Sequence, residues 1–69
     1  MKIKLNGKEY ELEREITVSD LLKKLDIHPQ SVAVEVNLNI IKKQYYDKTF
    51  IKDGDHVEIV SFVGGGIVN

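Results

Sequence analysis

Sixty-nine residues with no cysteine and a formal net charge of −1 provide one small core, near the lower limit at which a chain holds its fold without disulfides or metal. The lack of thiols excludes disulfides, cysteine-ligated metal and any persulfide or thioester on the chain's own side chains. Ten basic residues against eleven acidic ones deny the basic excess that nucleic-acid binding needs. With charged residues directly after Met1 and no apolar span of membrane length, the chain is expected to be soluble and cytoplasmic, with no membrane partner.

Ile3, Leu5, Tyr10 and Leu12 mark two alternating segments that meet at Asn6-Gly7, a strong short-range signal for a two-residue hairpin turn. Such a turn fixes the register. It sets Ile3 against Tyr10 and Met1 against Leu12 on one face, and Lys4 against Glu9 and Lys2 against Glu11 on the other, each lysine facing a glutamate. Glu13-Arg14-Glu15 follows as a charged, solvated connector. Thr17 has the position and chemistry of a helix N-cap, and Asp20 complements the helix dipole three residues on. Val18, Leu21, Leu22 and Leu25 recur at helical spacing and form one apolar stripe. Lys23 and Lys24 close the helix, which ends by His28 because Pro29 disfavours a helical residue before it. The spacing predicts two to three turns.

Val32, Val34 and Val36 alternate with Ala33 and Glu35, giving a strand with a buried valine face. Asn37-Leu38-Asn39 reads as a turn and Ile40-Ile41 as a short return strand. Tyr45 and Tyr46 lie among polar residues between Lys42 and Lys48. A base-stacking platform is one use for such a pair, but covering the end of the core is the more ordinary one. His28 and His56 stand apart with no cysteine near them, so neither belongs to a metal site. Phe50-Ile51 is a brief extended piece before the turn Lys52-Asp53-Gly54-Asp55, and a last strand runs from about His56 to Val63. The expected core is Ile3, Leu5, Tyr10, Val18, Leu21, Leu22, Leu25, Val34, Val36, Val57 and Ile59.

This order of elements implies an α+β fold, a mixed sheet with one main helix packed on one face. A ubiquitin-like β-grasp, with the first and last strands side by side at the centre of the sheet, is the compact arrangement that fits. One helix covers one sheet face. The other face then carries Val60 and Phe62, directly before three glycines. Either these two form a docking patch or Tyr45 or Tyr46 folds over them; the sequence leaves both open. The division expected is a domain over 1–63 and a glycine-rich tail over 64–69. Gly64, Gly65 and Gly66 are read as loose, because glycine loses the most conformational freedom on ordering. A fold-back of Ile67 and Val68 onto Phe62 gains burial, yet ordering the tail opposes it by about 1–2 kcal/mol per residue.

Val34-Glu35-Val36-Asn37, Ile40-Ile41, Lys52-Asp53-Gly54-Asp55-His56-Val57-Glu58-Ile59-Val60 and Phe62-Val63-Gly64-Gly65-Gly66, in this order and at this length, resemble the ThiS family of sulfur carrier proteins. The Asn-Gly hairpin and Thr17-Val18-Ser19-Asp20-Leu21-Leu22 at the helix start agree. The resemblance implies that a C-terminal glycine carboxylate is adenylylated by a ubiquitin-activating-type partner using ATP and Mg, and that sulfur then replaces AMP to give a thiocarboxylate. It further implies delivery of that sulfur to thiazole synthase for the thiazole of thiamine. The chain itself needs no cofactor and no catalytic side chain. No acid–base pair, activated nucleophile or metal cluster is visible, so it is not expected to be an enzyme.

Two features depart from the family pattern. Lys42 occupies a position where proline is frequent, and Ile67-Val68-Asn69 continue beyond the glycines. Related carriers with such extensions serve cysteine or homocysteine synthesis and are trimmed by a JAMM-type metallopeptidase. Gly66 is therefore the expected functional end once Ile67-Val68-Asn69 is removed, with Gly65 the runner-up. A carrier for cysteine, homocysteine or molybdopterin synthesis is the close alternative. A β-grasp binding module that is never activated is the alternative of another class.

Overall fold

Asn6 and Gly7 both adopt positive φ, at 50° and 83°, the conformation that lets a two-residue turn follow the twist of its strands. In the computed structural model, which describes residues 1–62, this turn joins β1 (Lys2–Leu5) to β2 (Lys8–Glu11). The register is the expected one: Lys2 faces Glu11, Ile3 faces Tyr10 and Lys4 faces Glu9. The side-chain ion pair forms on the diagonal instead, with Lys2 Nζ 3.9 Å from a Glu9 carboxylate oxygen.

The chain then makes a two-residue strand, β3 (Ile16–Thr17), which the sequence reading did not anticipate. It pairs antiparallel with β6 (Phe50–Ile51). Two residues are too few to show alternation, and their pairing lies far along the chain. Thr17 caps α1 (Val18–Lys24) with a full capping box: its Oγ1 accepts from the Asp20 N–H and the Asp20 carboxylate accepts from the Thr17 N–H. The next two amides of the helix are also satisfied, Val18 by the Thr49 carbonyl and Ser19 by the Tyr46 carbonyl. At seven residues the helix is near the short end of the expected length.

The five-stranded sheet has the order β2-β1-β7-β4-β5, with β4 (Val32–Val36), β5 (Asn39–Ile41) and β7 (His56–Ser61). β1 runs parallel to β7, and every other pairing is antiparallel. The parallel ladder is short, Lys4 against His56 and Leu5 against Val57. Asn6 prolongs it with its side chain: Oδ1 accepts from the Ile59 N–H at 2.7 Å and Nδ2 donates to the Ile59 carbonyl at 3.1 Å. β7 ends at Ser61, and Val63 lies outside the described residues.

The core consists of Ile3, Leu12, Val18, Leu21, Leu22, Val32, Val34, Val36, Tyr46, Ile51 and Val57. Leu5, Tyr10, Leu25 and Ile59, expected inside, are only half buried against it. Leu5 ends β1, Leu25 caps the end of α1 and Tyr10 lies on the edge strand β2. Leu12, Tyr46 and Ile51 belong to the core and were missing from the expected list, and Val32 is buried as expected of the valine face of its strand. Tyr46 is sealed in by burial that raises its phenol above the ordinary value, partly offset by the Val34 backbone. Among the described residues no helix is long and apolar enough to cross a membrane.

Leu22 is 1% exposed, so Leu22→Ala should lose about 2–5 kcal/mol of stability in urea unfolding; a loss near zero would contradict this packing. Asn6→Ala removes both bonds to Ile59 and forces an alanine into positive φ. A loss of about 1–3 kcal/mol is expected, with Asn6→Gly milder by about 1 kcal/mol because glycine tolerates that backbone. Equal losses would show that the bonds alone matter.

Candidate functional site

Along β7 the side chains alternate across the sheet. Val57 faces the core, and Ile59 packs against it, whereas Glu58 and Val60 point to the opposite face. Neighbouring strands continue that outer face: Ala33 lies opposite Val60, and Glu35 lies between Glu58 on one side and Ile40 on the other. Val60 is 54% and Phe62 37% exposed. The tyrosines do not cover them. Tyr46 enters the core beside the start of α1, and Tyr45 is itself exposed.

Among the described residues the structure therefore leaves an apolar patch on the sheet face opposite the helix, beside the end of β7. Ile40 is exposed on the same face, and Leu38 at the neighbouring turn is 88% exposed. Neither was picked out from the sequence. The signal was available for Ile40, since in a strand whose Ile41 packs inward the neighbouring residue must point outward.

Phe62 is held at two points. Its N–H donates to the Ser31 carbonyl at 2.9 Å, and its ring centroid lies 5.5 Å from Lys43 Nζ. The same ammonium donates to the Val32 carbonyl at 3.2 Å. Beyond this point Gly64, Gly65 and Gly66, with Ile67, Val68 and Asn69, lie outside the described residues. The histidines have local roles or none: His28 Nδ1 accepts from the Gln30 N–H, and His56 is exposed. No cluster of three metal-ligating side chains occurs among the described residues. A groove of about 470 Å³ lined by Leu12, Glu13, Arg14, Ile16, Asp20, Lys23 and Lys24 shares no residue with the patch.

The ThiS family model matches residues 3–66, nearly the whole chain. The chain belongs to the ThiS family. It is 40% identical over 65 residues to the sulfur carrier protein ThiS of Bacillus subtilis (strain 168), covering 93% of this chain and 98% of that protein. A crystal structure of the thiamine biosynthesis protein ThiS from Geobacter metallireducens superposes with a TM-score of 0.84 at 35% identity, over 96% of this chain and all of that one. The fold is thus the ubiquitin-like β-grasp of that family. The chain is also 44% identical over 66 residues to a thiazole synthase of Paramagnetospirillum magneticum (strain ATCC 700264 / AMB-1), covering 96% of this chain but 20% of that protein. It likewise spans a fifth of a second thiazole synthase, from Magnetococcus marinus. Family membership makes this a carrier-type protein rather than an enzyme.

Phe62→Asp should leave the urea unfolding midpoint close to wild type, because the ring lies outside the core. A collapse of the midpoint would show that the ring is structural and would remove Phe62 from the patch.

Proposed function

We propose that the chain carries sulfur as a thiocarboxylate at Gly66 and delivers it to thiazole synthase. The observation that carries this reading is a family match that ends at Gly66, joined to an apolar patch at the point where the chain runs toward that residue. A carboxylate is a poor electrophile at neutral pH. Attack of a carboxylate oxygen on the α-phosphorus of ATP, on a ubiquitin-activating-type partner with Mg, releases pyrophosphate and leaves a mixed anhydride with AMP. A sulfide equivalent then forms the C–S bond as the C–O bond to AMP breaks, and AMP leaves with the electron pair. The chain contributes reach and lack of hindrance: Gly64 to Gly66 extend at most about 10 Å, with no Cβ to obstruct a narrow channel.

Ile67-Val68-Asn69 conflicts with that chemistry, since a residue after Gly66 ties up its carboxyl in a peptide bond and the first two that follow are β-branched. Removal of these three residues, by a JAMM-type metallopeptidase or another protease, exposes Gly66; Gly65 is the second choice. Val60 and Phe62 are the contact for the activating enzyme. Thiazole synthase as the sulfur acceptor is favoured by the two thiazole synthases that contain a segment similar to this chain, because joining two modules in one chain raises their effective concentration for each other. Cysteine, homocysteine or molybdopterin synthesis shares the same carrier chemistry and is favoured only by the extension.

The decisive assay compares the full-length chain with a chain ending at Gly66, each with ATP, sulfide and the adenylating partner, by intact mass. Thiocarboxylate, seen as one oxygen replaced by sulfur, is expected only on the form ending at Gly66. Equal conversion without trimming overturns the Gly66 assignment, and conversion of neither form overturns the carrier reading. With the competent form, Phe62→Asp should raise the KM for the carrier by about tenfold or more, as loss of a central apolar contact does.

A further inference from the structure

We infer that Lys43 is a positioning residue: its ammonium clamps the Phe62 ring against the sheet end and thereby orients the docking patch. The inference rests on the carrier reading for its consequence, but the clamp itself is a matter of geometry. Lys43 begins a short helical turn, Lys43–Tyr45. That turn is held from below, because Tyr46, its C-cap, is buried and donates its N–H back to the Lys43 carbonyl at 3.1 Å. The base of the lysine side chain is thus fixed by the core.

Its tip is fixed as well. Nζ sits 3.2 Å from the Val32 carbonyl and 5.5 Å from the Phe62 ring centroid, bridging the start of β4 to the residue just past β7. Val32 is paired with Ser61, the last residue of β7, so the carbonyl that anchors the ammonium belongs to the last rung of the ladder. Among the described residues Phe62 has one backbone bond, to Ser31, and no strand partner. Among those residues, only that bond and partial burial orient the ring besides the ammonium. A cation on a ring face attracts it electrostatically without covering its outer surface, which suits a side chain that is to be held and still offered to a partner.

The test uses hydrogen exchange and steady-state kinetics. In the full-length chain, Lys43→Met should speed exchange of the Phe62 amide by about two- to fivefold, the range that loss of one partly exposed cation–ring contact produces. Lys43→Arg should restore the wild-type rate. In ATP–pyrophosphate exchange with the cognate adenylating enzyme, using whichever form, full-length or ending at Gly66, supports the reaction, Lys43→Met should raise the KM for the carrier by about the same factor while kcat changes less than about twofold. Arginine should again restore it. In a Phe62→Leu background, Lys43→Met should add nothing further, because the ring through which it acts is gone.

An unchanged Phe62 exchange rate overturns the clamp. A KM effect that persists undiminished in the Phe62→Leu background overturns positioning in favour of direct contact between Lys43 and the enzyme. If neither form supports pyrophosphate exchange, the carrier reading and the positioning role fall together. Pyrophosphate exchange that is present but insensitive to Lys43 removes the positioning role alone.

Discussion

The fold depends on a short parallel seam between strands at opposite ends of the chain. Only Lys4–His56 and Leu5–Val57 are paired across it, and a ladder of two rungs is weak by itself. The seam is extended at both ends by other groups. Asn6 reaches across with both side-chain atoms to the backbone of Ile59. On the other side, Lys2 donates its N–H to the Asp53 carboxylate and accepts from the Gly54 N–H, while the Lys4 N–H donates to the Asp55 carbonyl. A turn residue and a loop thus complete what the strands begin. Because β7 also pairs with β4, this seam puts β7 inside the sheet.

That placement divides the molecule into two sides with different tasks. A chain this short supplies one helix, and the helix covers one face. Val32, Val34, Val36, Val57 and Ile3 are buried with Leu21 and Leu22. Among the described residues no layer covers the remaining face, and it is there that Val60, Ile40 and Phe62 are exposed. An exposed apolar patch is tolerable when it is small and interrupted, and Glu35 and Glu58 interrupt this one. The same lack of a second layer that limits stability therefore makes a surface available for partners.

Among the described residues the core is free of buried charge, and its polar demands are met locally. The capping box of Thr17 and Asp20 and the carbonyls of Tyr46 and Thr49 satisfy the amides at the start of α1. Among the described residues no buried side-chain nitrogen or oxygen lacks a partner. At the end of β7, Phe62 is met by a backbone bond and an ammonium from a separate turn.

Local signals were legible in the sequence by itself. The Asn6-Gly7 turn and its register, the Thr17 cap with its apolar stripe, the valine alternation of β4 and the turn at Asp53-Gly54 all depend on residues within a few positions of one another. The family, too, was legible, since its motifs are strung along nearly the entire chain. Tertiary structure alone decided which apolar residues are sealed in. Leu12 lay in the alternating hairpin pattern but was left out of the expected core, and Ile51, which lies in no periodic run of useful length, is buried by its pairing with Ile16 thirty-five positions earlier. Tyr46 rather than Tyr45 enters the core because the turn at Lys43–Tyr45 rotates it beneath the sheet, a rotation no alternation pattern records. The bond from Lys43 to the Val32 carbonyl and its place over Phe62 are of the same kind. They join three segments that meet only after the sheet has formed, and contacts of that sort leave no spacing in the sequence to be read.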